Sequence, residues 1–89
     1  MLVDEIKKTI ENVIPQATVY VIDPNNDGQH FEAIVISPVF EGMMLVKQHQ
    51  MVLKALKEAF VQAVHALTLK TFTPQKWLEV KQHYNLQGG

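Results

Sequence analysis

Eighty-nine residues, 47% of them apolar, allow one domain with a single modest core and exclude a second domain. The net charge of −1 hides an asymmetry: residues 1–42 hold two lysines against seven acids, a balance of −5, and residues 43–89 hold six lysines against two acids, a balance of +4. Cysteine is absent, which excludes disulfides and any thiolate of the chain's own; arginine, the preferred fork for phosphates and guanine edges, is absent too, which weakens a nucleic-acid reading of the lysine-rich half beside an acidic protein surface.

The first predicted element is an amphipathic helix over 3–13, with Val3, Ile6, Ile10 and Val13 on one face, Asp4, Lys7, Lys8 and Glu11 opposite, and Pro15 ending it. Its acids and its lack of a long apolar stretch speak against a secretory signal, and no apolar run approaches the roughly 20 residues that cross a bilayer, so a cytoplasmic protein without a membrane partner is expected. A β-branched strand follows over 17–22, then a turn over 23–28, "DPNNDG", and a second strand over 30–37. The second strand is apolar on both faces after Glu32, which marks it as central and covered on both sides near its end. Pro38 stops it, and Gly42 is the flexible point of the connector.

The longest helix is expected over 45–60, with Leu45, Val52, Leu56 and Ala59 inward and Lys47, Gln50, Lys54, Lys57 and Glu58 outward. A third strand covers 65–72. Thr73 then caps a helix over about 74–84, Pro74 takes its first position, and Phe72 and Trp77 form the two ends of a hydrophobic staple. The tail 85–89, "NLQGG", is expected to fray from a single domain over 1–84. The order α-β-β-α-β-α is that of an α+β two-layer sandwich with helices against one face of a small sheet. The helix between the second and third strands allows those two to run parallel, which makes the sheet mixed.

Chemistry centres on four histidines. No HExxH, CxxC or closely spaced ligand pair supports a self-contained zinc site. His83 suits the C-terminal end of the last helix, where a cation complements the dipole. His49 shares the stripe of Leu45, Val52 and Leu56 and reads as a boundary histidine. His30 and His65 each open a strand, where an imidazole is either a satisfied polar plug or a ligand presented at the sheet rim. Ser37 precedes Pro38 without a nucleophile elbow, and there is neither a GxGxxG motif nor a P-loop. No catalytic residue can be named, and an enzyme is not expected.

Two stretches, "HFEAIVISPVFEGMMLVKQHQMVLKAL" over 30–56 and "VHALTLKTFTPQKW" over 64–77, resemble the BolA family, most closely its compact bacterial IbaG-like branch. The matching residues are His30-Phe31, Ser37, Phe40 with Gly42, His49, His65-Ala66-Leu67, and Thr73-Pro74 with Trp77. The resemblance implies a type II KH-like fold with three helices and a three-stranded mixed sheet. It also implies a monothiol glutaredoxin as partner and a [2Fe–2S] cluster shared with it. The glutaredoxin would bring its own cysteine and a glutathione thiolate, and this chain would bring the imidazole of His65, a substitution that [2Fe–2S] centres accept.

Family members often carry a second ligand, Cys or His, in the loop between the first two strands. Here "DPNNDGQ" has neither; His30 closes the loop as the best substitute, and Asp27 is the oxygen-donor alternative. The resemblance also carries a link to acid or envelope stress and to transcriptional control. A DNA-binding or partner-binding face would use Lys47, His49, Lys54 and Lys70, although the connector holds only one glycine where KH folds use a GXXG loop. Alone, the protein is expected as a monomer or weak homodimer.

Overall fold

The computed structural model describes residues 2–27, 30–57, 60 and 66–84. Helix α1, Leu2–Val13, buries Ile6 and Ile10 completely. Ile14, whose N–H still donates to the Ile10 carbonyl at 2.8 Å, continues that stripe into the core. Val13 was expected inward but is 51% exposed: it sits at the edge of the stripe in the last turn, where Ile14 takes its place. Gln16, with φ 53°, reverses the chain into strand β1, Thr18–Ile22.

β1 pairs antiparallel with β2, Phe31–Ile36, from Thr18↔Ile36 to Ile22↔Glu32. β2 pairs parallel with β3, Leu67–Phe72, from Phe31↔Leu67 to Ile36↔Phe72. The sheet is therefore mixed, with β2 central and buried at every position except Glu32, as its two-sided apolar pattern required.

Strand alternation divides the side chains between two faces. Val19, Val21, Phe31, Ala33 and Val35 meet Ile6, Ile10 and Ile14 of α1, together with Val52 and Leu56 of α2, Leu45–Lys57. Each aliphatic side chain of this size contributes about 2 kcal/mol by leaving water. The opposite face carries Tyr20, Ile34, Ile36 and Phe72. There helix α3, Pro74–Val80, lays Trp77 against Tyr20 and Phe72, at ring separations of 5.8 and 5.6 Å. The expectation of helices on one face thus holds for α1 and α2, which build the two-layer body. The short α3 folds to the reverse side because its Phe72–Trp77 staple starts from an outward strand position. Tyr84, after a 3₁₀ turn over Lys81–His83 that replaces the expected last helical turn, completes this aromatic group.

Two polar side chains lock the layers at the C-terminal end of β2 and β3. Ser37 is fully buried. Its Oγ donates to the Pro15 carbonyl at 2.6 Å and accepts from the Val39 N–H at 3.1 Å, capping a 3₁₀ turn over Pro38–Phe40. Gln48 donates through Nε2 to the Met43 carbonyl at 2.9 Å and accepts from Thr71 Oγ1 at 2.7 Å. Between these two anchors Gly42 has φ +77°, a backbone state that other residues adopt at a cost.

Leu45, expected inward, is 60% exposed between exposed Met44 and Val46, because it lies in the first turn of α2 where Gln48 is the inward anchor. Ala59 of the expected inward stripe lies outside the described residues, as do His65 at the expected start of the third strand and the tail 85–89. Phe60 still donates to Leu56 at helical spacing. Among the described residues no helix is long and apolar enough to cross a membrane.

Candidate functional site

Parallel pairing brings the N-terminal ends of β2 and β3 to one rim of the sheet. The Phe31 N–H donates to the Ala66 carbonyl at 3.1 Å, one residue before the first strand pair, Phe31↔Leu67. His30 precedes Phe31 at this rim, and His65 precedes Ala66 in the chain; His65 itself lies outside the described residues.

The segment leading to His30 is built by two successive aspartates. Asp23 accepts the Asn26 N–H on its carbonyl at 3.0 Å and the Asp27 N–H on its carboxylate at 3.3 Å. Asn26 supplies the left-handed residue of this turn, φ 52°, a conformation asparagine tolerates well. Asp27 in turn grips His30 twice: Oδ1 accepts the His30 N–H at 3.1 Å, and Oδ2 lies 3.0 Å from the ring Nδ1. An ionised carboxylate only accepts hydrogen bonds, so this contact calls for a proton on Nδ1, which in the neutral ring leaves the lone pair on Nε2. The His30 side chain is 60% exposed. The donor chemistry therefore fits a metal through Nε2, backed by a carboxylate in the manner common to ligating histidines.

Among the described residues no three His, Asp or Glu side chains form a metal-sized group. A metal held at this rim through His30 would therefore need at least one ligand from outside those residues. The turn over 23–28 was legible in its composition, but the double grip was not: the spacing Asp27-x-x-His30 was visible, and it becomes a contact only through the way Asp23 sets that turn.

The remaining candidates do not gather into one surface. Lys47 and Lys54 are exposed on the outer side of α2, about 10 Å apart along its axis. His49 is half-buried on the inward side with Val52 and Leu56, and its neighbour Gln48 is bonded to Thr71 near the C-terminal end of β3. His49 therefore lies toward the end of the sheet opposite His30. Lys70 belongs to the other sheet face, where its Nζ stands 5.0 Å from the centroid of the Tyr84 ring. The sheet separates it from Lys47 and Lys54. His83 is exposed in the final 3₁₀ turn.

A mixed three-stranded sheet in this order, with Ser37, Gly42 and the Thr73-Pro74 cap in the expected places, coincides with a family match: the model of the BolA-like proteins covers residues 4–76. The chain belongs to the BolA-like family. It is 33% identical over 75 residues to the acid stress protein IbaG of Escherichia coli K12, covering 83% of this chain and 86% of that one. This agrees with the expected resemblance to the compact bacterial branch. It is 30% identical over 81 residues to the DNA-binding transcriptional regulator BolA of Vibrio cholerae, covering 91% and 76% of the two chains. A solved BolA homologue from Coxiella burnetii superposes with a TM-score of 0.71 at 37% identity, over 84% of this chain and 94% of that one. BolA-like membership thus extends from α1 to α3, beyond the two stretches that carried the resemblance.

Proposed function

We propose that this BolA-like chain is an adaptor that docks on a monothiol glutaredoxin and lends imidazole ligands, from His65 and His30, to a [2Fe–2S] cluster that the two proteins share, acting in iron–sulfur or iron homeostasis or in a stress response. The observation that carries it is the strand-head rim: β2 and β3 start side by side, the exposed His30 ring immediately precedes β2, and His65 comes two residues before β3 in the sequence. When bound, the cluster would supply one-electron chemistry at a potential raised by imidazole in place of thiolate. This chain would supply neutral nitrogen donors and, having no cysteine, would depend on the partner and its glutathione for sulfur. The acid-stress name of the Escherichia coli relative is compatible with a regulatory role of this kind.

The test is a titration of a [2Fe–2S]-loaded monothiol glutaredoxin with this protein, read by visible absorption and circular dichroism. The wild type changes the spectrum; His65→Ala abolishes the change and His30→Ala weakens it. An unchanged spectrum with the wild type overturns the reading.

A second reading, a DNA-binding regulator, draws on the exposed lysines of α2 and on the name of the Vibrio cholerae relative. It predicts DNA affinity falling with salt, with a slope set by the phosphates that Lys47 and Lys54 contact. No binding at low salt rejects it.

A further inference from the structure

We propose that Asp27 is a positioning residue rather than a ligand: it fixes the tautomer of His30 so that Nε2 presents its lone pair at the strand-head rim to a metal brought by a partner. This deepens, and rests on, the cluster-sharing reading above. Both carboxylate oxygens of Asp27 are engaged by the same residue, Oδ1 with the His30 N–H at 3.1 Å and Oδ2 with the ring Nδ1 at 3.0 Å. The first contact holds the backbone of His30 and the second holds its ring, so the imidazole is restrained at both ends of its side chain.

Free histidine prefers the proton on Nε2, which blocks the exposed nitrogen as a ligand. A carboxylate behind Nδ1 reverses that preference without burying the ring, and outer partners of this kind are worth about 10–100-fold in metal affinity. The Asp23 carboxylate, through the Asp27 N–H, in turn braces the group that does the orienting.

The substitution Asp27→Asn separates orientation from mere loop structure. Its carbonyl oxygen still accepts the His30 N–H and keeps the turn, while its amide now points an N–H at Nδ1. The ring must then accept at Nδ1 and carry its proton on Nε2, which is the wrong form for ligation. Asp27→Ala removes both restraints.

Nitrogen-15 NMR of ring-labelled protein without any metal, at about pH 8 where an ordinary histidine is neutral, reads the tautomer directly. The wild type is expected to show a protonated Nδ1 and a bare Nε2 at His30, and Asp27→Asn the reverse. A protonated Nε2 in the wild type overturns the proposal. The glutaredoxin titration gives the second readout. Asp27→Asn and Asp27→Ala, both with wild-type backbone amide spectra outside the loop, should need about tenfold more protein for half of the spectral change. If the Asp27 variants, or His30→Ala, titrate like the wild type, the positioning role is wrong while cluster sharing stands. If the wild type itself produces no change, cluster sharing fails, and the tautomer measurement still decides what Asp27 does to His30.

Discussion

Replacing Gln48 by Leu tests how α2 is fastened to the rest of the fold. The carboxamide serves the Met43 carbonyl at 2.9 Å and Thr71 Oγ1 at 2.7 Å, whereas its contact with the Phe40 carbonyl, at 3.4 Å, is long and contributes little. Thr71 is only 6% exposed, so its hydroxyl has no ready substitute in water. Two groups lose their partners, at about 1 kcal/mol each, so Gln48→Leu should cost about 2 kcal/mol. Thr71→Val strands the Gln48 oxygen and should cost about 1 kcal/mol. The double variant leaves neither hydroxyl nor amide oxygen behind and orphans only the Met43 carbonyl, a cost of about 1 kcal/mol. The two substitutions should therefore couple by about 2 kcal/mol, large against the roughly 5–13 kcal/mol expected for a domain of this length. Urea unfolding of the four proteins, with midpoints shifting at constant slope, measures it. Additivity within about 0.3 kcal/mol would refute the bridge between α2 and β3.

Ser37→Ala removes a fully buried hydroxyl that serves both Pro15 and Val39; a loss of about 2 kcal/mol, or about 8–16 °C in Tm by calorimetry, is expected, and an unchanged Tm contradicts this pair of hydrogen bonds. Gly42 has φ +77° with no atom within 4 Å of where a Cβ would stand, so Gly42→Ala should cost about 1–2 kcal/mol from backbone strain alone and Gly42→Asn less; equal costs in denaturant unfolding would point to crowding instead. Trp77→Ala strips the ring that touches Tyr20, Phe72 and Tyr84 and should cost about 3 kcal/mol, with loss of the near-ultraviolet circular dichroism; retention of full stability would show that α3 is not held to the sheet by these rings.

Much of the frame was legible because local chemistry and tertiary packing agree. The run of "FEAIVI", apolar on both faces after Glu32, marked a central strand. The helix within the β2–β3 crossover allowed their parallel pairing, and Thr73-Pro74 with Phe72 and Trp77 announced the last helix, whose cap accepts the Lys76 N–H at 3.2 Å. Periodicity misled where a polar residue took an inward position. Gln48 anchors α2 over Thr71, and Leu45, on the same stripe by spacing, is left in water. The reverse-side placement of α3 follows from strand parity at Phe72, which no composition rule exposes. At the candidate rim, the histidines were visible as residue types at strand starts. What orients His30 was not, because it depends on a left-handed Asn26 and two nested aspartate turns rather than on any pattern of polarity.

The most direct test of imidazole ligation is pulsed electron paramagnetic resonance of the reduced complex between a [2Fe–2S]-loaded monothiol glutaredoxin and this protein labelled with nitrogen-15 histidine. Imidazole lent from the strand-head rim predicts a strong nitrogen-15 hyperfine coupling from a nitrogen bound to iron, lost in His65→Ala. A complex that forms and is reduced, yet shows no such coupling with the wild type, contradicts it.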